Sequence, residues 1–263
     1  MPSPSSRFPS GDLVVAALRS AGCVFAEDEA RLILAAARTP DELAAMVDRR
    51  VAGHPLELVV GWAEFRGLRI SVAPGVFVPR RRTEFLVDQA LAQAPDARVV
   101  LDLCCGSGAV GAALAAALGP VELHSADIDP AAVECARRNT ADAGGHVHTG
   151  DLFEALPAGL RGRVDILAAN VPYVPTEEVA LLPAEARDHE PLVALDGGTD
   201  GLDLLRRVAS EALKWLSPDG CLLVETSARQ APAAADAFTR SGLRPRLAVS
   251  EERYAHVVIG TRA

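Results

Sequence analysis

The sequence predicts an α/β fold: a doubly wound, mostly parallel seven-stranded sheet, preceded by a small N-terminal helical domain and a linking β-hairpin. Three observations predict it. From Arg98 onward, short apolar runs alternate with segments whose apolar residues recur at helical spacing. A glycine-rich stretch, Cys104 to Gly111, joins the first of these runs to the first helix. The apolar run 164–169 ends in Asn170-Val171-Pro172-Tyr173, where proline donates no ladder hydrogen bond and the chain must leave the sheet. Such alternation buries a sheet under helices on both faces.

The elements follow in order. Met1 to Gly11 is rich in Pro and Ser and reads as a loose tail, with no basic segment and apolar core of a signal peptide after it. Residues 12–20 and 26–37 have helical spacing, the first with Ser10 or Asp12 as its cap. Thr39 caps a third helix that carries Pro40 at its first position. These helices make an N-terminal substrate-recognition unit, residues 1–52. Residues 53–75 are a linker and hairpin: Gly53-His54-Pro55-Leu56 breaks the helix, and two short strands within 62–72 turn around Arg66-Gly67. The third part, residues 76–263, opens with a helix over 84–92 capped by Thr83. Strands at 99–103, 121–126, 146–148, 164–169 and 221–225 alternate with helices at 111–118, 130–139, 201–216 and 230–241, and a hairpin of 244–249 and 254–260 closes the sheet.

Composition narrows the function. The 263 residues are 49% hydrophobic and 23% charged, which is globular. The net charge of -9 argues against stable nucleic-acid binding, which needs a basic face. None of the five cysteines forms a C-x-x-C pair, and no histidines show metal spacing, so neither a disulfide framework nor a metal site is expected. With no apolar run of membrane-spanning length, a cytoplasmic protein without membrane contact is expected.

Gly106-x-Gly108-x-x-Gly111 fits the dinucleotide fingerprint formally, and a helix N-terminus there offers free N–H groups to an anion. Asp127, ending the next strand, is placed to hold a ribose diol. Asp102 lies two residues before the loop. Its carboxylate would repel a pyrophosphate but suits the ammonium of an amino-acid ligand. Asp151, ending the following strand, can accept from an adenine amino group. Three acids at successive strand ends argue for one adenosyl ligand, and S-adenosylmethionine carries all three groups. A dinucleotide remains the alternative at this point, and with it an NAD-dependent oxidoreductase.

The chain resembles class I S-adenosylmethionine-dependent methyltransferases, and within them the HemK/PrmC family of protein-glutamine N-methyltransferases. Six segments carry the resemblance over nearly the whole chain: Gly53-His54-Pro55-Leu56 with Val60-Gly61, Phe77-Val78-Pro79-Arg80 with Thr83-Glu84, the loop Asp102 to Gly108, Asn170-Val171-Pro172-Tyr173, Glu190 to Leu195, and Gly197 to Gly201. The resemblance implies a Rossmann-like methyltransferase sheet and S-adenosylmethionine as cofactor. It implies cofactor contacts from Asp102, Cys104, Cys105, Gly106, Ser107, Gly108, Asp127, Ile128, Asp151, Leu152 and Asn170. It implies a protein substrate with an exposed glutamine, such as a release factor with a Gly-Gly-Gln loop, held by Asn170, Val171, Pro172 and Tyr173. Cys104 stands in place of the loop's first glycine, which predicts a less positive φ there. Val171 stands in place of a proline but keeps its backbone carbonyl. The helical unit is shorter than the family's around Arg38-Thr39.

An amide nitrogen is a poor nucleophile because its lone pair is delocalised. The Asn170 side-chain oxygen and the Val171 carbonyl are the expected acceptors for its two N–H groups, and the Tyr173 ring is expected to flank the planar amide and favour a cationic methyl. Asn170 and Tyr173 are therefore the expected catalytic residues. The same geometry suits a small-molecule or nucleobase amino group. Other residues read as structural: Arg80-Arg81-Arg82 as a solvated loop, with Arg80 able to reach the cofactor or an acidic partner, the histidines as surface or loop, Cys104 and Cys105 as small packing residues, Trp62 and Trp215 as core or interface, and Glu190 as a brace for the Asn170 loop, with direct substrate contact as the alternative.

Overall fold

The computed structural model describes residues 10–263; the Pro- and Ser-rich start, residues 1–9, lies outside them. Four helices open the chain: α1 (Gly11–Ser20), α2 (Ala26–Ala36), α3 (Pro40–Val51) and the short α4 (Leu56–Val60), which the sequence reading took as a linker. Their apolar faces, Val14, Leu18, Ile33, Val47 and Val59 among them, bury one another in a cluster separate from the sheet core. Thr39 caps α3 as expected, its hydroxyl accepting from the Glu42 N–H at 3.1 Å. Ser10 sits at the N-cap of α1 without a side-chain bond, and Asp12 lies inside the helix, so neither caps it.

The hairpin is β1 (Trp62–Phe65) and β2 (Leu68–Ser71). Its turn residues, Arg66 and Gly67, both have left-handed backbones (φ 49° and 74°), as a two-residue hairpin turn requires. Phe65 and Ile70 pack into the core beside Leu86, Val87 and Leu114. Next comes α5 (Glu84–Gln93). Thr83 is not its cap: its backbone is already helical, its hydroxyl is buried, and it bonds to nothing.

The sheet comprises β3 (Val99–Leu103), β4 (Glu122–Asp127), β5 (His146–Thr149), β6 (Val164–Ala169), β7 (Leu216–Thr226), β8 (Leu243–Ser250) and β9 (Ala255–Arg262), in the order β5-β4-β3-β6-β7-β9-β8. The first five strands run parallel and the β8–β9 hairpin is antiparallel, as the sequence predicts. Strand β7 begins earlier than expected because Ser217 to Gly220 bulge between two registers with β6. Alternate strand residues face opposite layers. Val100, Ile166 and Leu223 meet α5 and α6 (Ala109–Leu118), near α7 (Pro130–Thr140). Leu101, Leu167 and Val224 meet α9 (Asp203–Ala212) and α10 (Ala231–Arg240), with α8 (Ala184–His189) on the connection before α9. Both layers are needed, because every β3 residue is buried.

From β3 the chain moves outward through β4 to β5, then returns to β6 on the other side of β3. The crevice at the carboxyl ends of β3, β4 and β6 is therefore a topological switch point, where open α/β sheets bind their ligands.

Candidate active site

A cavity of ≈ 540 Å³ opens at that switch point. Every sequence-predicted site residue except Gly108 lines it. Gly108 works from behind: with φ 77° it starts α6, and an added Cβ would press on Ala136 of α7 at 3.0 Å. At Gly106 (φ 53°) a Cβ would meet nothing closer than Phe77 at 4.0 Å, so it would stand in open cavity. A backbone stripped of side chains there leaves room for a ligand.

Cys104 corrects the expectation of a less positive φ. Its φ is 56°, fully left-handed. The turn from β3 into the loop demands that conformation whatever side chain is present, and a cysteine held there stores strain of about 1–2 kcal/mol. Burial pushes the Cys104 and Cys105 thiols well above their ordinary range, so neither is a nucleophile at neutral pH.

The two nearest acids are held differently. Asp127 is fixed by two backbone donors, Gly106 N–H to Oδ2 at 2.8 Å and Asp129 N–H to Oδ1 at 2.9 Å. Each oxygen keeps a free lone pair, as a vicinal diol would use. Asp102 is almost wholly buried, and one oxygen accepts from the Gly111 N–H at 2.8 Å. Burial pushes its pKa up to about 8, with the Gly111 bond pulling the other way and Asp127 adding repulsion. It is a carboxyl that a nearby cation would ionise. Asp151 Oδ2 takes a bond from Arg207 at 2.8 Å, which leaves Oδ1 as the acceptor on the cavity side, and both residues line the cavity. Beside it Leu152 is turned inward with φ 48°, while Ile128 offers an exposed apolar surface.

Across the cavity, β6 ends at Ala169 and the chain leaves the sheet as expected. Val171 is buried, which anchors the segment in place of a proline. The Asn170 side-chain amide lines the cavity and bonds to no other described residue. The following backbone is clamped from below. Gln230 Nε2 donates to the Tyr173 carbonyl at 2.8 Å and to the Asp200 carbonyl at 2.9 Å. Gly197 and Gly201 lie so close that a Cβ on either would collide with the Pro172 or Tyr173 carbonyl oxygen. That is the physical role of the Gly197 to Gly201 segment.

Two structural readings are corrected here. Arg82 is exposed but not free: its guanidinium donates to the Tyr173 hydroxyl at 2.6 Å and to Glu225 Oε1 at 3.1 Å. Arg80 reaches an acidic partner, as the sequence allowed, by donating to Glu190 at 2.6 Å, and Arg81 stays on the surface as expected. Glu190 braces the Phe77–Arg80 segment through the Val78 N–H at 3.1 Å, not the Asn170 loop. Among the histidines, His124 is buried in β4 and stacks on His146 and His148. Arg82, Glu225 and Gln230 went unrecognised because their partners lie 91, 52 and 57 residues away along the chain. Only Glu225, an acid ending a buried strand, left a signal.

One wall thus presents backbone N–H groups and acids, and the other an unpartnered amide beside an aromatic ring. Residues 67–185 match the family model described as methyltransferase small domain. A release factor glutamine methyltransferase of Geobacter sulfurreducens is 41% identical over 208 residues, 77% of this chain and 72% of that protein. One from Mycolicibacterium smegmatis is 38% identical over 221 residues, covering 82% and 78%. A Streptomyces pristinaespiralis protein named 4-amino-L-phenylalanine/4-methylamino-L-phenylalanine methyltransferase is 34% identical over 203 residues, covering 74% and 69%. Among solved structures, a methyltransferase from Pyrococcus furiosus shares the fold with a TM-score of 0.53 at 15% identity, over 74% of this chain and 89% of that one. A ribosomal protein methylase from Lactobacillus delbrueckii does so with 0.53 at 18%, over 74% and 86%. The oxidoreductase alternative falls with these findings, and the chain belongs to the release factor glutamine methyltransferase family.

Proposed function

We propose that this protein transfers a methyl group from S-adenosylmethionine to the side-chain amide nitrogen of a glutamine in a peptide chain release factor. The observation that carries the reading is the unpartnered Asn170 amide at the end of β6, in the wall of the cavity that Asp102 and Asp127 also line. The residues fit the cofactor: Gly106 leaves open space, Asp127 keeps lone pairs for a ribose diol, and Asp102 is a buried carboxyl that an ammonium would ionise. Cys104, Cys105 and Ser107 supply the loop between them, with Ile128 and Leu152 as apolar walls for an adenine ring. Bound there, S-adenosylmethionine supplies an electrophilic methyl group on a sulfonium.

The chain's own residues supply the acceptor side. The Asn170 side-chain oxygen and the Val171 carbonyl accept the two N–H bonds of the substrate amide. Holding both protons favours a pyramidal nitrogen whose lone pair is available, and stabilises the positive charge that develops on it. Tyr173 offers a ring face to that charge. Position supplies the rest, since a fixed acceptor makes the encounter effectively unimolecular. No base is needed before transfer; the methylated nitrogen loses its proton afterwards.

The arylamine acceptor named for the Streptomyces relative defines a second reading, because a planar aromatic amino group presents the same two N–H bonds. One experiment separates them. The enzyme, labelled S-adenosylmethionine and a purified bacterial release factor should yield label on one glutamine, mapped by tandem mass spectrometry. No label on the release factor, with turnover of 4-aminophenylalanine instead, would replace the first reading with the second.

A further inference from the structure

We propose that Arg82 and Glu225 are positioning residues that fix the Tyr173 ring through its hydroxyl, and that this hold is expressed in kcat. The inference rests on the acceptor reading above. Three bonds close a ring of side chains: Arg82 Nη2 donates to Tyr173 Oη at 2.6 Å, the Tyr173 hydroxyl donates to Glu225 Oε1 at 3.2 Å, and Arg82 Nε donates to the same Oε1 at 3.1 Å. The three residues come from the segment before α5, the exit of β6 and the end of β7. A tyrosine hydroxyl lies on the axis of its ring. Holding it from two sides therefore fixes where that axis points, which the clamped backbone of Pro172 and Tyr173 alone does not. The Arg82 guanidinium carbon stands 5.9 Å from the ring centre, on the hydroxyl side.

The arrangement is costly for a merely structural contact. Glu225 is 2% exposed, and its second oxygen, Oε2, has no hydrogen-bond partner. Desolvating a carboxylate with one oxygen unsatisfied is unfavourable, and an apolar side chain would fill the same space without that cost. What the polar group adds is direction. A tyrosine tilted away from the acceptor would leave the amide free to rotate out of line, and small misplacements of this kind are expensive in rate. The network touches neither Asp102 nor Asp127, so its loss should leave cofactor affinity alone.

A double-mutant cycle tests this with Tyr173→Phe, Glu225→Gln and their combination, each checked by thermal melting. Each single change should lower kcat about tenfold, with KM for S-adenosylmethionine within about twofold of wild type. The double variant should fall no further than the worse single one, because Glu225 acts only through the hydroxyl that Phe lacks. Arg82→Lys should recover part of what Arg82→Ala loses. Losses that multiply to about a hundredfold, or a Tyr173→Phe protein with wild-type kcat, would overturn the proposal. Should Glu225→Gln fail to fold, Arg82→Gln closes the same cycle. A wild-type enzyme inactive on release factors sinks the glutamine reading without touching this one, since the cycle reads identically on an arylamine acceptor.

Discussion

The two walls of the cavity are built by different means. The wall proposed for the cofactor is mostly local: β3, its loop, the start of α6 and the end of β4 lie within residues 99–129, and backbone N–H groups fix Asp102 and Asp127. The wall proposed for the acceptor is assembled at long range, with Tyr173 held by Arg82 from before α5 and by Glu225 and Gln230 from the β7–α10 junction. The difference teaches where each wall is vulnerable. Damage to the first should appear in cofactor affinity, and damage to the second in turnover.

The sharpest contrast is between two glycines, one in each wall. At Gly201 (φ 75°) a Cβ would strike the Tyr173 carbonyl oxygen and Gln230 Nε2. Left-handed strain and overpacking together cost about 3 kcal/mol, so Gly201→Ala should lower Tm by roughly 6–12 °C and reduce kcat at saturating cofactor. Gly106→Ala meets no such clash. It should cost about 1 kcal/mol of strain, roughly 2–4 °C in Tm, and act mainly by raising Kd for S-adenosylmethionine about tenfold or more. Reversed assignments, measured by calorimetric titration and melting, would break the division between the walls.

Next in size is a pH effect confined to the cofactor wall. With its pKa pushed up to about 8 by burial, Asp102 is mostly protonated at pH 7. A ligand ammonium beside it should drive off roughly one proton, so binding heats at pH 7 should depend on the ionisation enthalpy of the buffer. Asp102→Asn should abolish that dependence. The sign for stability is opposite to that of an ordinary ion pair. A raised carboxyl pKa favours the fold while the group is neutral, so unliganded protein loses this contribution as pH rises from about 4 towards 8. The Asn variant should not show that loss.

The smallest effect lies outside both walls, at the β4–β5 edge. Burial lowers the pKa of His124, against the pull of Glu122, and burial and neighbouring histidines lower that of His148. Their neutral forms favour the fold, so stability is full above the usual histidine range and falls as pH drops below about 6.5. His124→Gln should make Tm less sensitive to acid between pH 7.5 and 5.5. An unchanged sensitivity would remove the histidine stack from the account.

The same division explains what the sequence revealed. Strand periodicity, the glycine loop and the acids at strand ends are short-range signals, and the residues they singled out line the cavity, as does the exit at Asn170. The left-handed Cys104 escaped because residue identity predicted its backbone, whereas the turn dictates it. Arg82 escaped because a run of arginines reads as solvated until the fold brings Tyr173 and Glu225 to it. Thr83 escaped for the converse reason: it looks like a cap, yet the chain is already helical where it stands.

The central claim is that Asn170 holds the acceptor nitrogen and contributes little to cofactor binding. Single-turnover methyl transfer to a release factor by Asn170→Ala protein saturated with S-adenosylmethionine tests it most directly. The account predicts a rate about 10²–10³ lower than wild type, with cofactor affinity within about threefold. Transfer at the wild-type rate, or a rate restored simply by adding more cofactor, would contradict it.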